Sequence, residues 1–234
     1  MHIPDGFLDA PVSIATGVLA VGGLTYCVKR AQIELDDKLA PMAGLTAAFI
    51  FAVQMLNFPV ALGTSGHLLG GALAAILVGP AAGAMCLAVV LLVQALFADG
   101  GLTALGANIT LMGLVTAFGG YALFKLFMTV LPRRDGSLVL SAGLAAGLSV
   151  PLSAAGFVLL FALGGNADLP LGSVLAAMVG VHLLIGVGEG LITALTVGTV
   201  LKTRPDLVLG ARRTLPARTL VVNRGAAATP GASA

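Results

Sequence analysis

With 58% hydrophobic and 9% charged residues over 234 positions, the chain has too few charged side chains to coat a water-soluble domain of its size. A mean hydropathy of +1.06 leads to the same reading, an integral membrane protein. The net charge of +2 comes from a few basic residues sorted along the chain rather than gathered in a patch, which excludes a nucleic-acid-reading surface.

In chain order, the first ten residues, MHIPDGFLDA, carry Asp5 and Asp9 and no Lys or Arg, the reverse of a secretory n-region. The N-terminus is therefore expected to be retained, with a free amine beside His2. A spanning helix needs about 20 mainly apolar residues, and seven segments qualify, at roughly 11–28, 41–58, 67–80, 82–98, 106–131, 138–164 and 172–201. Cys27 and Cys86 fall within or at the ends of such segments, lack CxxC spacing and are expected to pack as small apolar residues. The third segment opens at 63-GTSGHLLGG-71, which puts His67 at a helix start with Ser65 as its cap. This segment is short, and Gly79-Pro80 reads as a tight helical hairpin into the fourth; merging the two would leave six crossings.

Gln54, Asn57, Gln94 and Asn108 fall toward one end of their helices, near Asp99. The runs 70-GGALAA-75 and 142-AGLAAG-147 predict close helix packing. In the last segment His182, Gly186, Glu189, Thr193 and Thr196 share one stripe at three- and four-residue steps and are expected to face the protein interior. Interhelical hydrogen bonding is their expected role, with a coupling stripe of His182 and Glu189 toward the cytoplasmic face as the alternative. The chain closes on a basic, then Ala/Gly/Pro-rich stretch, so the sequence divides into a membrane domain, 1–201, and a tail, 202–234, expected to be disordered and cytoplasmic.

The charges select the crossing number. Under seven crossings all 12 Lys and Arg lie on one side of the membrane, which the positive-inside rule makes cytoplasmic, so the N-terminus lies outside. Six crossings would split the basic clusters between the two sides. The outer face then carries Asp5, Asp9, Asp99 and Asp168 with no basic residue, a mouth that favours cations.

His2 and His67 share that face. The Met1 amine, the His2 amide nitrogen and the near ring nitrogen of His2 are able to close a five- and a six-membered chelate on one metal. A fourth nitrogen from His67 would complete a roughly planar set, which suits Ni(II) and Cu(II) and is acceptable to Co(II). A solvated terminus and an ordinary helix start remain the alternative for these two histidines. Metal-bound histidine rings donate their free N–H to a carboxylate, carbonyl or water, and Asp99 and Asn108 are the candidates for that role. His182 lies deeper and is not expected among the ligands.

Four motifs in one order, MHIPDGFLD, GTSGHLLGG, QALFADGGLTALGAN and HLLIGVGEGLITA, together resemble the CbiM/NikM family over Met1 to about Val200. These are substrate-specificity subunits of energy-coupling-factor cobalt and nickel importers. The resemblance implies an all-α polytopic membrane protein, a seven-helix bundle with its N-terminal segment inserted at the outer face. It implies a metal site of Met1, His2 and His67, and Co2+ or Ni2+ as transported substrate, with no organic cofactor. It also implies a transmembrane coupling subunit, cytoplasmic ATPase subunits and a small helper membrane subunit as partners. Location in the bacterial inner membrane and supply of cobalt for cobalamin synthesis are the matching expectations.

Two rival readings belong to other classes. A gradient-driven cation carrier would need intramembrane carboxylates, of which Glu189 alone lies well inside a segment. An intramembrane serine protease of rhomboid type is suggested by 63-GTSG-66 with His182 as base, but the chain has no tryptophan for the Trp-Arg loop motif such proteases carry. No lysine stands in a Walker A pattern, so ATP hydrolysis is expected of partners rather than of this chain.

Overall fold

The computed structural model describes residues 1–59 and 65–216. Among these the chain is all-helical apart from one minimal ladder, Phe58–Pro59 against Ser65–Gly66, antiparallel. The helices are α1 (Ala10–Glu34), α2 (Leu39–Gln54), α3 (Gly71–Val78), α4 (Pro80–Leu96), α5 (Leu105–Val130), α6 (Asp135–Gly164) and α7 (Leu171–Thr203). A 3-10 turn, Pro205–Leu207, leads to a short α8 (Leu209–Thr214). Four of them, α1, α5, α6 and α7, are long and apolar enough to cross a membrane; α2 and α4 are apolar but shorter.

Helix polarity is inverted relative to a soluble protein. Leu184, Val187 and Leu191 of α7 are 75%, 74% and 61% exposed, whereas His182, Glu189 and Thr193 of the same helix are buried. Apolar side chains thus cover the outside and polar ones face inward, the arrangement lipid imposes. The expected small-residue contacts are present: Gly143 and Gly147 of α6 lie against the backbone of Gly190 and Gly186 of α7. That close approach turns the His182–Glu189 stripe inward.

α3 sits at the centre, with all eight residues buried. It begins where Gly70 adopts φ 80° and ends at Gly79, φ 102°, from which Pro80 starts α4. This is the expected hairpin. The start of α3 differs from expectation, because His67 lies four residues ahead of it in extended chain rather than on a helix. The expected Ser65 cap involves a side chain outside the described residues, and Gly70 stands at the cap position instead.

α5 crosses α3 closely and is wound as a π-helix over Ile109–Gly119, where Thr116 is spent on the Met112 carbonyl. A Cβ on Gly71 would overlap Thr116 Oγ1 and lie 3.0 Å from the Ala117 nitrogen. Gly71→Ala should therefore destabilise the protein by about 1–3 kcal/mol through overpacking, seen as a lower Tm in detergent. An unchanged Tm would mean that the α3–α5 contact is looser than described.

The core divides into two ends. One joins Met1, Ile3, Leu8, Leu69, Ala104, Ala107, Phe161 and Val174. The other joins Ala31, Val78, Leu138, Leu201 and Val208, so the α1–α2, α3–α4 and α5–α6 connections and the C-terminal segment meet there. At that second end Arg212 pairs with Asp36 at 2.8 Å and Lys38 with Asp206 at 3.3 Å. Buried Glu34 accepts the Ala81 and Ala82 N–H groups at the start of α4, with Arg213 3.9 Å away.

The first part of the expected disordered tail is ordered. α7 runs on to Thr203, and α8 folds back with Val208, Leu209 and Ala211 buried, because these apolar residues gain cover against Ile76 and Phe124. Residues 217–234, including Arg218 and Arg224, lie outside the described residues.

Candidate metal-binding site

The N-terminal segment is threaded into the first end of the bundle, and its backbone hydrogen bonds show why. Ile3 N–H donates to Asn108 Oδ1 at 2.8 Å, and Asn108 Nδ2 returns a bond to Ile3 O at 3.1 Å. Gly101 N–H donates to Ile3 O at 2.9 Å. Thr103 gives Asp5 Oδ1 both its backbone N–H, at 2.7 Å, and its hydroxyl, at 2.6 Å. Further along, Asp9 N–H donates to Gly164 O at 2.7 Å, and the Asp9 carboxylate caps α1 through Val12 N–H at 2.9 Å. The segment is thereby satisfied along its length, as a buried backbone requires.

This threading buries the terminus: Met1 is 1%, His2 5% and Ile3 0% exposed. It brings the His2 and His67 rings together, with centroids 4.5 Å apart. His67 is wholly buried and its Nδ1 bonds to Leu68 O at 2.8 Å, so a proton on Nδ1 leaves Nε2 with a free lone pair. Among the described residues neither His67 Nε2 nor His2 Nε2, both buried, has a hydrogen-bond partner. An unpaired buried nitrogen is costly, which marks His67 Nε2 as a donor with its lone pair still to use.

Gly100 has a part in this. Its φ of 108° favours glycine, and a Cβ there would stand 2.8 Å from His2 Nδ1 and cover that nitrogen.

Burial pushes the Met1 amine down to about 4, opposed by the Asp99 charge. His2 is lowered by burial and then by the neighbouring terminal ammonium, again against Asp99. The Met1 amine and the His2 ring are thus uncharged, each with a lone pair to donate, at neutral pH.

The expected supporting residues take different places. Asp99 Oδ2 lies 3.9 Å from His2 Nε2, too far for a hydrogen bond but close enough for its charge to act. It also accepts a long 3.4 Å contact from Asn57 Nδ2. Asn108 holds the Ile3 backbone rather than an imidazole. His182 is fully buried, with Nδ1 on Met178 O at 2.7 Å and, among the described residues, no partner for Nε2. The Glu189 carboxylate accepts the N–H groups of Leu69 and Gly70.

Three contributors were not assigned from the sequence: Asp5, the Gln54 amide that donates to Leu69 O at 2.7 Å, and Gly100. Gln54 carried a signal, a polar residue at the end of an apolar segment; the other two act through partners about a hundred positions away or through a backbone angle.

Among the described residues no three His, Cys, Asp or Glu side chains converge closely enough to hold a metal ion. Comparison with known proteins supplies the wider setting. The family model described as cobalt uptake substrate-specific transmembrane region, CbiM, matches residues 2–207. The cobalt transport protein CbiM of Sorangium cellulosum is 35% identical over 217 residues, 89% of this chain and 94% of its own. The fused nickel transport protein NikMN of Rhodobacter capsulatus is 37% identical over 229 residues, 91% of this chain and 65% of its own. A solved structure titled as a truncated transition metal transporter superposes with a TM-score of 0.80 at 31% identity, covering 87% of this chain and 99% of that one.

Proposed function

The chain belongs to the CbiM family of cobalt uptake transmembrane regions, and from that premise we propose that it is the substrate-binding membrane subunit of an importer for Co2+ or Ni2+. The donor set is the Met1 amine, the amide and Nδ1 nitrogens of His2, and Nε2 of His67. The observation that carries the reading is the pair of buried imidazoles 4.5 Å apart beside a buried amine. Since only two ligand-type side chains meet there, the other donors come from the main chain, which requires a free amine on Met1. Four nitrogens in a plane favour Ni(II), with Co(II) close behind, over oxygen-seeking Mg2+ or Ca2+.

The seven helices α1 to α7 are read as seven crossings, with α3 and its flanking extended chain making one of them. The end that gathers Lys38, Arg204, Arg212 and Arg213 is cytoplasmic by the positive-inside rule, and the end holding His2 faces outside. Energy coupling through a transmembrane coupling subunit and cytoplasmic ATPases follows from the resemblance to energy-coupling-factor importers, as do a small helper subunit and a role in cobalamin synthesis. Metal uptake into proteoliposomes that needs ATP and those partners tests this arrangement. Equal uptake by the chain alone, driven by an ion gradient, would overturn it.

The pH dependence follows from the lowered basicities. A free terminal segment takes up a proton on its amine below pH 8.0, while the docked amine does so only below about pH 4. Lowering pH between those values favours the undocked segment by roughly 1.4 kcal/mol per pH unit for this one group. In the docked protein at pH 7 the amine and the His2 ring are uncharged, so metal entry at these two residues displaces about one proton, that of the His2 amide. Calorimetry in buffers of different ionisation enthalpy measures this number. Release of two or three protons would mean that the amine or the rings are protonated before metal arrives.

A further inference from the structure

The Glu189 carboxylate is 2% exposed, far from the basic end of the bundle, and forms no ion pair among the described residues. A negative charge held there is expensive, so its contacts matter. Oε2 accepts the Leu69 N–H at 2.5 Å and Oε1 accepts the Gly70 N–H at 2.8 Å. Two successive N–H groups converge on one carboxylate because Gly70 takes the left-handed conformation at φ 80°, making a concave anion receptor of the backbone. The carbonyl of Leu69 is held from the other side by Gln54 Nε2 of α2 at 2.7 Å. All three bonds fall within three residues of His67, in the extended stretch between that residue and α3. That stretch is not helical, and the His67 ring bonds within it to the Leu68 carbonyl, so whatever holds the neighbouring Leu69 and Gly70 backbone also sets the ring.

We propose that Glu189 is a positioning residue of the metal site: through charge-assisted bonds to Leu69 and Gly70 it clamps the His67 segment so that Nε2 faces His2. This rests on the reading of His67 as a ligand. The alternative, a purely architectural bond between α7 and the α3 segment, would affect folding without changing the bound metal. Glu189→Gln distinguishes them. It keeps the side-chain shape but turns one acceptor into an NH2 group that faces an N–H.

The probe is Ni(II) alone, added to detergent-solubilised protein, with affinity from chelator competition and the ligand-field absorption band as the spectroscopic signature. E189Q should weaken Ni(II) binding by about 10- to 100-fold, the usual cost of losing an outer support of a metal site, and should shift the band. Thr193→Val, on the same stripe of α7 one turn further, should leave both unchanged. A folded E189Q protein with native band and affinity overturns the proposal, as does a T193V protein that shifts equally. Should E189Q not fold, Gln54→Leu carries the test by removing only the bond to Leu69 O; a shifted band upholds the clamp and an unshifted one overturns it. His67→Ala separates the two levels. If it leaves the band unchanged, the ligand reading itself fails; if it changes the band while E189Q does not, only the clamp fails.

Discussion

One additional residue ahead of Met1 should weaken Co(II) or Ni(II) binding about a thousandfold or more, roughly 4 kcal/mol. Two effects combine. The extension turns the Met1 amine into a peptide nitrogen, removing one donor and opening the five-membered chelate ring. It also has no room, because Met1 is 1% exposed and packs in one core cluster with Leu69, Leu91, Met112 and Phe157. An added residue must push the segment outward, against the bonds that Asn108, Gly101 and Thr103 make to Ile3 and Asp5. Chelator competition on the extended and native-terminus proteins measures the loss. Matched affinities would remove the amine from the donor set.

His67→Ala should have the next largest effect, a loss of about a hundredfold, or ~3 kcal/mol. In the proposed donor set the ring is the one donor from outside the first two residues, so its removal would leave a three-nitrogen chelate whose fourth position goes to water. Among the described residues its Nε2 makes no hydrogen bond that the substitution would remove, so the effect should fall chiefly on metal binding. Saturating metal at a hundred times Kd stabilises a binding protein by about 2.7 kcal/mol. The corresponding rise in Tm on adding Ni(II) should be present in the native protein and nearly absent in His67→Ala at the same concentration. A full metal-induced rise in the variant would place the ion elsewhere.

Much of this molecule is legible in its sequence, and the legible parts share a cause. The Gly79-Pro80 hairpin and the small-residue contacts of Gly143 and Gly147 depend on local composition, and the structure has both, while four of the seven expected apolar segments form helices long enough to span. The meeting of His2 and His67 followed from sorting charges by side, a global rule that uses no local pattern. What the sequence concealed depends on partners distant along the chain. Asn108 was expected to support a metal-bound ring, and in the structure its amide bonds Ile3 on both sides, a role that depends on a partner 105 positions away. His67 was expected on a helix, yet the left-handed Gly70 delays α3 and leaves the histidine in extended chain. Glu189 was expected to bond across to another helix or to relay a signal, and it grips a loop 119 and 120 positions earlier. The docking of α8 was hidden for another reason: Val208, Leu209 and Ala211 form too short an apolar run to stand out between Lys202, Arg204 and Asp206 on one side and Arg212 and Arg213 on the other.

The central claim is that one transition-metal ion is bound by nitrogens of Met1, His2 and His67 together. X-ray absorption at the metal edge of the Ni(II)-loaded protein with an unblocked Met1 tests it most directly. The account predicts a first shell of four nitrogens with the outer-shell scattering of two imidazoles, reduced to one imidazole in His67→Ala. A shell dominated by oxygen, or two imidazoles persisting in that variant, would contradict it.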